Sequence, residues 1–103
     1  MQVPSIVLLT LANPREKYWG ELNELGPHGA TLRGLELNAF EDFLTQAAAH
    51  PAQARLLTSF FPMHRIERIA LDECIGELPS LAARFEARLG VSVGAWLRRQ
   101  ENE

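Results

Sequence analysis

The segment Thr58–Glu73 decides the fold, and its sequence is Thr-Ser-Phe-Phe-Pro-Met-His-Arg-Ile-Glu-Arg-Ile-Ala-Leu-Asp-Glu. It is the densest apolar segment of the chain, and it also contains the one mid-chain Pro-x-His-Arg sequence. Its pattern predicts two short strands, Leu56–Phe61 and Ile66–Asp72, joined by a one-turn corner at Pro62–Arg65. The apolar residues that predict these strands and the polar residues that are candidates for binding therefore lie in the same segment.

Three earlier segments have the pattern of strands. Ser5–Ala12 is a continuous Ile/Val/Leu run that ends at an Asn-Pro turn signal. Lys17–Leu25 alternates between its two faces, and Gly20 within it predicts a bulge or a sharp bend. After a Gly-Pro-His-Gly turn, Ala30–Leu37 alternates again. We expect three antiparallel strands with short connections.

Helical patterns occupy much of the remaining chain. Asn38 and the glutamate three residues later have the spacing of a capping box, which predicts a helix over residues 38–49. Apolar residues at i, i+3, i+4 and i+7 give this helix one apolar stripe. Residues 79–100 contain two further amphipathic segments, with Ser92 placed to cap the second and Gly90 placed as a left-handed residue at the end of the first.

These elements predict an α+β fold with a strongly bent five-stranded antiparallel sheet or small barrel over residues 5–75. One helix is inserted between strands three and four, and further helices follow at the C-terminus. A chain of 103 residues has the usual length of one domain and can build one modest core without metal or disulfide staples. We therefore expect residues 1–103 to form a single domain.

Composition limits the class of protein. The formal net charge of −3 argues against a strongly basic nucleic-acid surface. The single cysteine, Cys74, excludes an intrachain disulfide and a multi-cysteine zinc site, and suits a reducing compartment. The apolar run Ile6–Ala12 is too short to span a membrane and follows no basic segment. We expect a cytoplasmic protein that contacts no membrane.

A first group of candidate binding residues lies at the predicted corner and just after it. His64, Arg65 and Arg68 can form a small site for an anion or an RNA phosphate, because guanidinium groups suit phosphate oxygens. In the competing interpretation, the histidine bonds to the backbone at the corner. The two arginines then form ion pairs with the nearby acidic residues Glu67, Asp72 and Glu73.

A second group of candidates combines basic and aromatic side chains. Arg15, Lys17 and Trp19 follow the first turn closely, where an aromatic ring can stack on a base, pack into the sheet or contact a protein. Phe60 and Phe61 are adjacent on a strand, so they point to opposite faces. One of the two enters the core, and the other packs under the inserted helix or lies exposed at an oligomer interface. We expect Phe61 to be the residue of this pair that binds a partner.

Catalytic and cofactor sites have little support in the sequence. A grouping of Cys74, His64 and Asp72 has the residue types of a thiol nucleophile with a base, but no glycine-rich segment supplies an oxyanion site. The three histidines are scattered without metal-ligand spacing, and no glycine-rich phosphate loop occurs. We expect no enzyme activity, no metal and no cofactor.

The order of strands and the Phe-Phe-Pro-Met-His-Arg-Ile corner give the chain a resemblance to the Sm-like proteins, including bacterial Hfq. In that family strand four ends at a corner of the aromatic-x-His type, a position that His64 occupies here. Gly20 stands where the second strand of the family bends. The family's helix precedes strand one, whereas the helix predicted here separates strands three and four. The resemblance therefore implies a five-stranded bent sheet and carries no function by itself.

The sequence predicts a non-enzymatic interaction module that binds a protein partner or self-associates as a homo-oligomer. Its alternative is an Sm-like protein that binds RNA or another anion through a modest Arg/His surface. The candidate partner-binding residues common to both hypotheses are Arg15, Lys17, Trp19, Phe61, His64, Arg65 and Arg68.

Overall fold

Five antiparallel strands form one open sheet in the computed structural model, which describes residues 1–102. The strand order is β4-β3-β2-β1-β5, so β4 and β5 are the two edges. The α+β fold with a five-stranded antiparallel sheet is confirmed, and the sheet does not close into a barrel. The strands are β1 (Ser5–Leu11), β2 (Glu16–Gly26), β3 (Gly29–Glu36), β4 (Leu57–Pro62) and β5 (Ile66–Leu71).

The chain divides into two compact units. The first consists of Met1–Ala39 with Leu56–Leu71 and contains the whole sheet. The second consists of Phe40–Arg55 with the chain from Asp72 onward and contains the helices α1 to α3. The single domain expected from the sequence stays a prediction.

One face of the sheet carries the core of the first unit. Strand residues alternate between the two faces, so every second side chain of β1 to β4 points to this side. Partly buried side chains of β2 and β5 pack against the cluster. The buried core residues are Val7, Leu9, Leu11, Leu22, Ala30, Leu32 and Phe61.

Two glycines allow β2 and β3 to approach closely on this face. Gly20 and Gly34 are cross-strand partners. A Cβ atom placed on Gly34 would lie 2.0 Å from the carbonyl oxygen of Trp19, and one placed on Gly20 would lie 2.4 Å from that of Arg33. Both distances are far below van der Waals contact, so no side chain fits between the strands at this point.

The sheet also contains two register irregularities. The β2–β3 register shifts between Leu22 and Glu24, and the β1–β5 register shifts between Thr10 and Leu11. An extra residue in one strand bends that strand and increases its twist. Gly20 predicted a bulge or a bend in β2. Gly20 itself stays in register with Gly34, and the bulge lies further along β2, between Leu22 and Glu24.

The helices of the second unit are α1 (Phe40–Ala49), α2 (Leu81–Leu89) and α3 (Val93–Glu101). The predicted start at Asn38 is wrong, because that residue lies within a one-turn 3₁₀ helix, Leu37–Ala39, and α1 begins after it. Within residues 1–102, no helix is both long and apolar enough to span a membrane.

Local capping interactions define the ends of α2 and α3. The Ser80 hydroxyl accepts a hydrogen bond from the Ala83 N–H at 3.0 Å, and the equivalent serine before α3, Ser92, accepts one from Ala95 at 3.1 Å. Gly90 ends α2 in the left-handed conformation, with φ of 76°. These interactions satisfy backbone groups that a helix end leaves unpaired.

Three aromatic rings pack together in the second unit. Phe43 of α1 lies 6.2 Å from Phe85 of α2 and 6.0 Å from Trp96 of α3, measured between ring centroids. Phe85 and Trp96 meet edge to face at 5.8 Å. Such pairs contribute about 0.5–1.5 kcal/mol beyond the burial of their area, and here they connect all three helices.

Candidate functional site

All seven candidate residues lie in the first unit, but they are not gathered on one surface. They are distributed over the β1–β2 turn, three strands and the 3₁₀ corner Met63–Arg65. Arg15 is in the turn, Lys17 and Trp19 are on β2, Phe61 is on β4, His64 and Arg65 are in the corner, and Arg68 is on β5.

Trp19 and Phe61 are buried. Trp19 has no exposed surface, and Phe61 is 9% exposed, with its ring 4.8 Å from that of Tyr18 between centroids. Neither ring offers a surface to a partner in this structure. The exposed aromatic side chain of β4 is Phe60, at 58%. The two phenylalanines face opposite sides, as predicted. The burial of Phe61 argues against its predicted role in partner contact, and Phe60 is the aromatic residue of β4 that a partner can reach.

Arg65 ties the corner to the β1–β2 turn. Its Nε donates to the Ala12 carbonyl at 2.8 Å, and one Nη donates to the Pro14 carbonyl and to Glu16 Oε1, each at 2.9 Å. The backbone adds a further bond, from the Ala12 N–H to the Arg65 carbonyl at 2.8 Å. The guanidinium thus donates hydrogen bonds to three acceptor atoms within the fold.

These contacts bear on the two interpretations of Arg65. Its Nε and one Nη are already used by Glu16 and two backbone carbonyls, so an anion would compete with these partners for the guanidinium. The ion-pair interpretation is correct in kind, but the partner is Glu16 of β2 and none of the acidic residues proposed from the sequence. Arg65 also brings the turn and the corner together, so Arg15 and His64, both exposed, lie at the same end of the sheet.

Lys17 and Arg68 lie in one row across three strands. Thr10 of β1 is the cross-strand partner of Lys17 on one side and of Arg68 on the other. Directly opposed residues in antiparallel strands point to the same face, so the two cations flank Thr10 on one side of the sheet. Both are exposed. Because Arg65 bonds to the β1–β2 turn, the row Lys17–Thr10–Arg68 is the remaining candidate for an anion site.

A cavity of about 270 Å³ lies beside Lys17. Its lining contains two cations and two carboxylates, so its charges of opposite sign balance and it has no net charge to attract an anion. Burial, followed by the negative charges of Glu16 and Glu36, raises the pKa of the nearby Tyr18 phenol, and Arg65 opposes this effect. The lining residues are Arg15, Glu16, Lys17, Glu36, Leu37 and Asn38.

The backbone of β4 has an unpaired side. The Met63 N–H donates to the His28 carbonyl at 2.8 Å, which makes these residues a hydrogen-bonded pair in continuation of the β3–β4 register. Bonded and non-bonded pairs alternate along an antiparallel ladder. Phe61 therefore bonds to β3, whereas Thr58 and Phe60 direct their N–H and C=O groups away from it. Within residues 1–102, no strand pairs with this edge.

Apolar side chains accompany this edge. Leu57 is 69% exposed, and the residues that follow it, Thr58 to Phe60, are all exposed. The Phe60 ring lies over Gly29 of β3, with its Cζ 2.8 Å from the position of a Cβ on that glycine. β4 contains no charged residue. None of the exposed residues of this edge was among the candidate binding residues predicted from the sequence, although the alternation along β4 and Pro62 at its end are features of an edge strand.

Asp72 has a structural partner of its own. Its two carboxylate oxygens accept hydrogen bonds from the N–H groups of Leu81 and Ala82, at 3.0 and 2.7 Å, at the start of α2. This carboxylate holds the helix N-terminus, where negative charge is favourable. Cys74 is a free, exposed thiol. In the part of the chain that the structure describes, no cluster of His, Cys, Asp or Glu side chains is suited to a metal ion.

Comparisons of this chain with protein-family models, curated proteins and solved structures found no significant match. The resemblance to Sm-like proteins therefore stays a prediction.

Proposed function

We propose that this protein is a non-enzymatic interaction module whose β4 edge pairs with an extended segment of a protein partner or of a second copy. One observation carries the proposal. Thr58 and Phe60 turn their backbone hydrogen-bonding groups away from β3, on a strand whose first four residues are exposed.

Edge pairing suits the composition of β4. An added strand would pair with the N–H and the C=O of both Thr58 and Phe60. Such backbone bonds give affinity for partner segments of many different sequences. Sheet edges are commonly protected by charged residues, proline or bulges. Here Pro62 protects only the end of β4, and no charge interrupts Leu57 to Phe61. The exposed Phe60 ring supplies an apolar contact that selects among partner segments.

The direct test uses a displayed peptide library as the source of partners. We expect the selected peptides to alternate β-branched or aromatic residues with polar ones, since that pattern fits an edge strand. In the complex, amide exchange followed by NMR should show new protection at Thr58 and Phe60. Failure to select any peptide, or binding that leaves both amides unprotected, would contradict the proposal.

Thr58→Pro provides the decisive variant. It removes a backbone N–H that points away from β3, so the β3–β4 hydrogen bonds are kept. It also removes the threonine hydroxyl. Peptide affinity should fall about tenfold for the lost bond and blocked approach. Thr58→Val is the matched control, because it loses the hydroxyl that accepts from Arg33 Nε at 3.3 Å and keeps the N–H. Equal affinity of the two variants would count against edge pairing.

The second candidate function is RNA or anion binding, favoured by the Lys17–Thr10–Arg68 row. For a single-stranded RNA oligonucleotide, each phosphate contact contributes about 0.7 to the slope of log affinity against log salt. We therefore expect Lys17→Gln with Arg68→Gln to lower that slope by about 1.4, twice this value. The charge-matched control, Arg88→Gln with Arg99→Gln, should leave it unchanged. An unaltered slope in the first variant excludes the row as the binding surface.

A further inference from the structure

A hydrogen-bonded turn with apolar side chains lies between β5 and α2. The Ile75 N–H donates to the Leu78 carbonyl at 3.0 Å, and the Leu78 N–H donates to the Ile75 carbonyl at 2.9 Å. Gly76 has a φ of 59°, which suits the two-residue turn that these bonds enclose. The two aliphatic side chains are 74% and 70% exposed. We call Ile75–Leu78 the turn tip.

The turn tip combines apolar area with negative charge. Ile75 and Leu78 are directly opposed across the turn, so their side chains point to the same side and form one apolar surface. Glu73 and Glu77 are both exposed beside it. No basic residue occurs between Asp72 and Ala83. A complementary site therefore needs an apolar floor and a basic rim.

The same unit contains an open cavity on its surface with these properties. It has a volume of about 380 Å³ and is lined by residues of α1 and α2. Leu44 and Ala87 contribute apolar surface, and Arg84 and Arg88 contribute the positive charge. Glu41, the remaining lining residue, forms an ion pair with Arg84. The rim therefore has a net positive charge. We call this the α1–α2 cavity.

We propose that the turn tip of one copy of this chain inserts into the α1–α2 cavity of a second copy. This surface is distinct from the β4 edge, so the inference goes beyond the proposed function. Ile75 and Leu78 enter the cavity, and Glu73 and Glu77 face the arginines at its rim. Charge complementarity between the two features favours a second copy of the chain as the occupant.

The two features lie on neighbouring segments of the same unit. Two residues separate the turn tip from α2, and Arg84, Ala87 and Arg88 of that helix line the cavity. A two-fold axis would form the same contact twice, as isologous interfaces do. Removal of one large aliphatic side chain from a buried contact costs about tenfold in affinity. In a two-fold dimer each substitution acts twice, so we expect about a hundredfold.

Sedimentation equilibrium over a concentration series measures this association. The unaltered chain should form a dimer, and Leu78→Ser should raise the dimer dissociation constant about a hundredfold. Leu25→Ser is the matched control, since that leucine is 44% exposed near the end of β2, outside the turn tip and the β4 edge. It should leave the dimer unchanged. A chain that stays monomeric, or equal effects of both variants, overturns the inference without affecting peptide binding at the β4 edge.

A charge exchange tests the pairing of tip and cavity. Glu77→Arg alone places like charges against Arg88 of the second copy, and Arg88→Glu alone does the same in reverse, so each variant should dimerise weakly. An equimolar mixture should recover the dimer, because both contacts of the mixed pair then join opposite charges. Circular dichroism of each variant checks that these exposed substitutions preserve the fold. No recovery in the mixture overturns the assignment of the cavity.

Discussion

Gly34→Ala is expected to lower the free energy of unfolding by about 4 kcal/mol, a large share of the stability of a small domain. The new Cβ would lie 2.0 Å from the carbonyl oxygen of Trp19 and 2.7 Å from the Cα of Gly20. Both atoms belong to the backbone of a paired strand, so no side-chain rotation relieves the overlap. The sheet must separate at this position.

Chemical denaturation measured by tryptophan fluorescence gives the change directly. Gly94→Ala is the matched control, because a Cβ at that position in α3 meets nothing within 4 Å apart from its chain neighbours and the backbone of the helix itself. The same substitution should there stabilise the protein by about 0.5 kcal/mol, since alanine has the higher helix propensity and restricts the unfolded chain. Similar effects at the two glycines would contradict a role for close strand approach.

Arg65→Ala is expected to cost about 3 kcal/mol of unfolding free energy. It removes three hydrogen bonds from a partly buried guanidinium and leaves Glu16 and two carbonyls of the β1–β2 turn without that partner. Arg65→Lys should recover only part of this loss. A single ammonium group retains the charge but cannot reproduce the planar arrangement of donors.

Arg68→Ala is the control for Arg65, because Arg68 is exposed on β5 and a substitution there should change stability by less than about 0.5 kcal/mol. Thermal and denaturant unfolding of the three variants distinguish the positions. If Arg68→Ala destabilises the protein as much as Arg65→Ala, general loss of positive charge explains the result. The contacts to the turn would then have no special role.

Features that depend on neighbouring residues were predictable from the sequence. The opposite facing of Phe60 and Phe61 follows from strand geometry, and the corner after Pro62 is a 3₁₀ turn at the expected place. The serine before α3 and Gly90 after α2 also act as predicted. In each case the deciding interaction spans four residues or fewer, so it is present in the local sequence.

Features that depend on distant residues were not predictable in the same way. The capping-box pattern at Asn38 was overridden by a 3₁₀ turn, so α1 begins later. Arg65 found its partner at Glu16, 49 positions away, in preference to nearer carboxylates. The exposure of Phe60 and burial of Phe61 required the position of β4 relative to the core. None of these outcomes is encoded in spacing alone.

The sequence by itself determined the number and order of the main strands and helices, because alternation, helical periodicity and turn residues act over short distances. Only the tertiary structure decided how the segment Thr58–Glu73 is used. Strand pairing left the Thr58 and Phe60 backbone groups at an open edge and aligned Arg68 with Lys17 across Thr10. It also engaged Arg65 in the β1–β2 turn. Strand order and register are set by contacts between residues far apart in the chain.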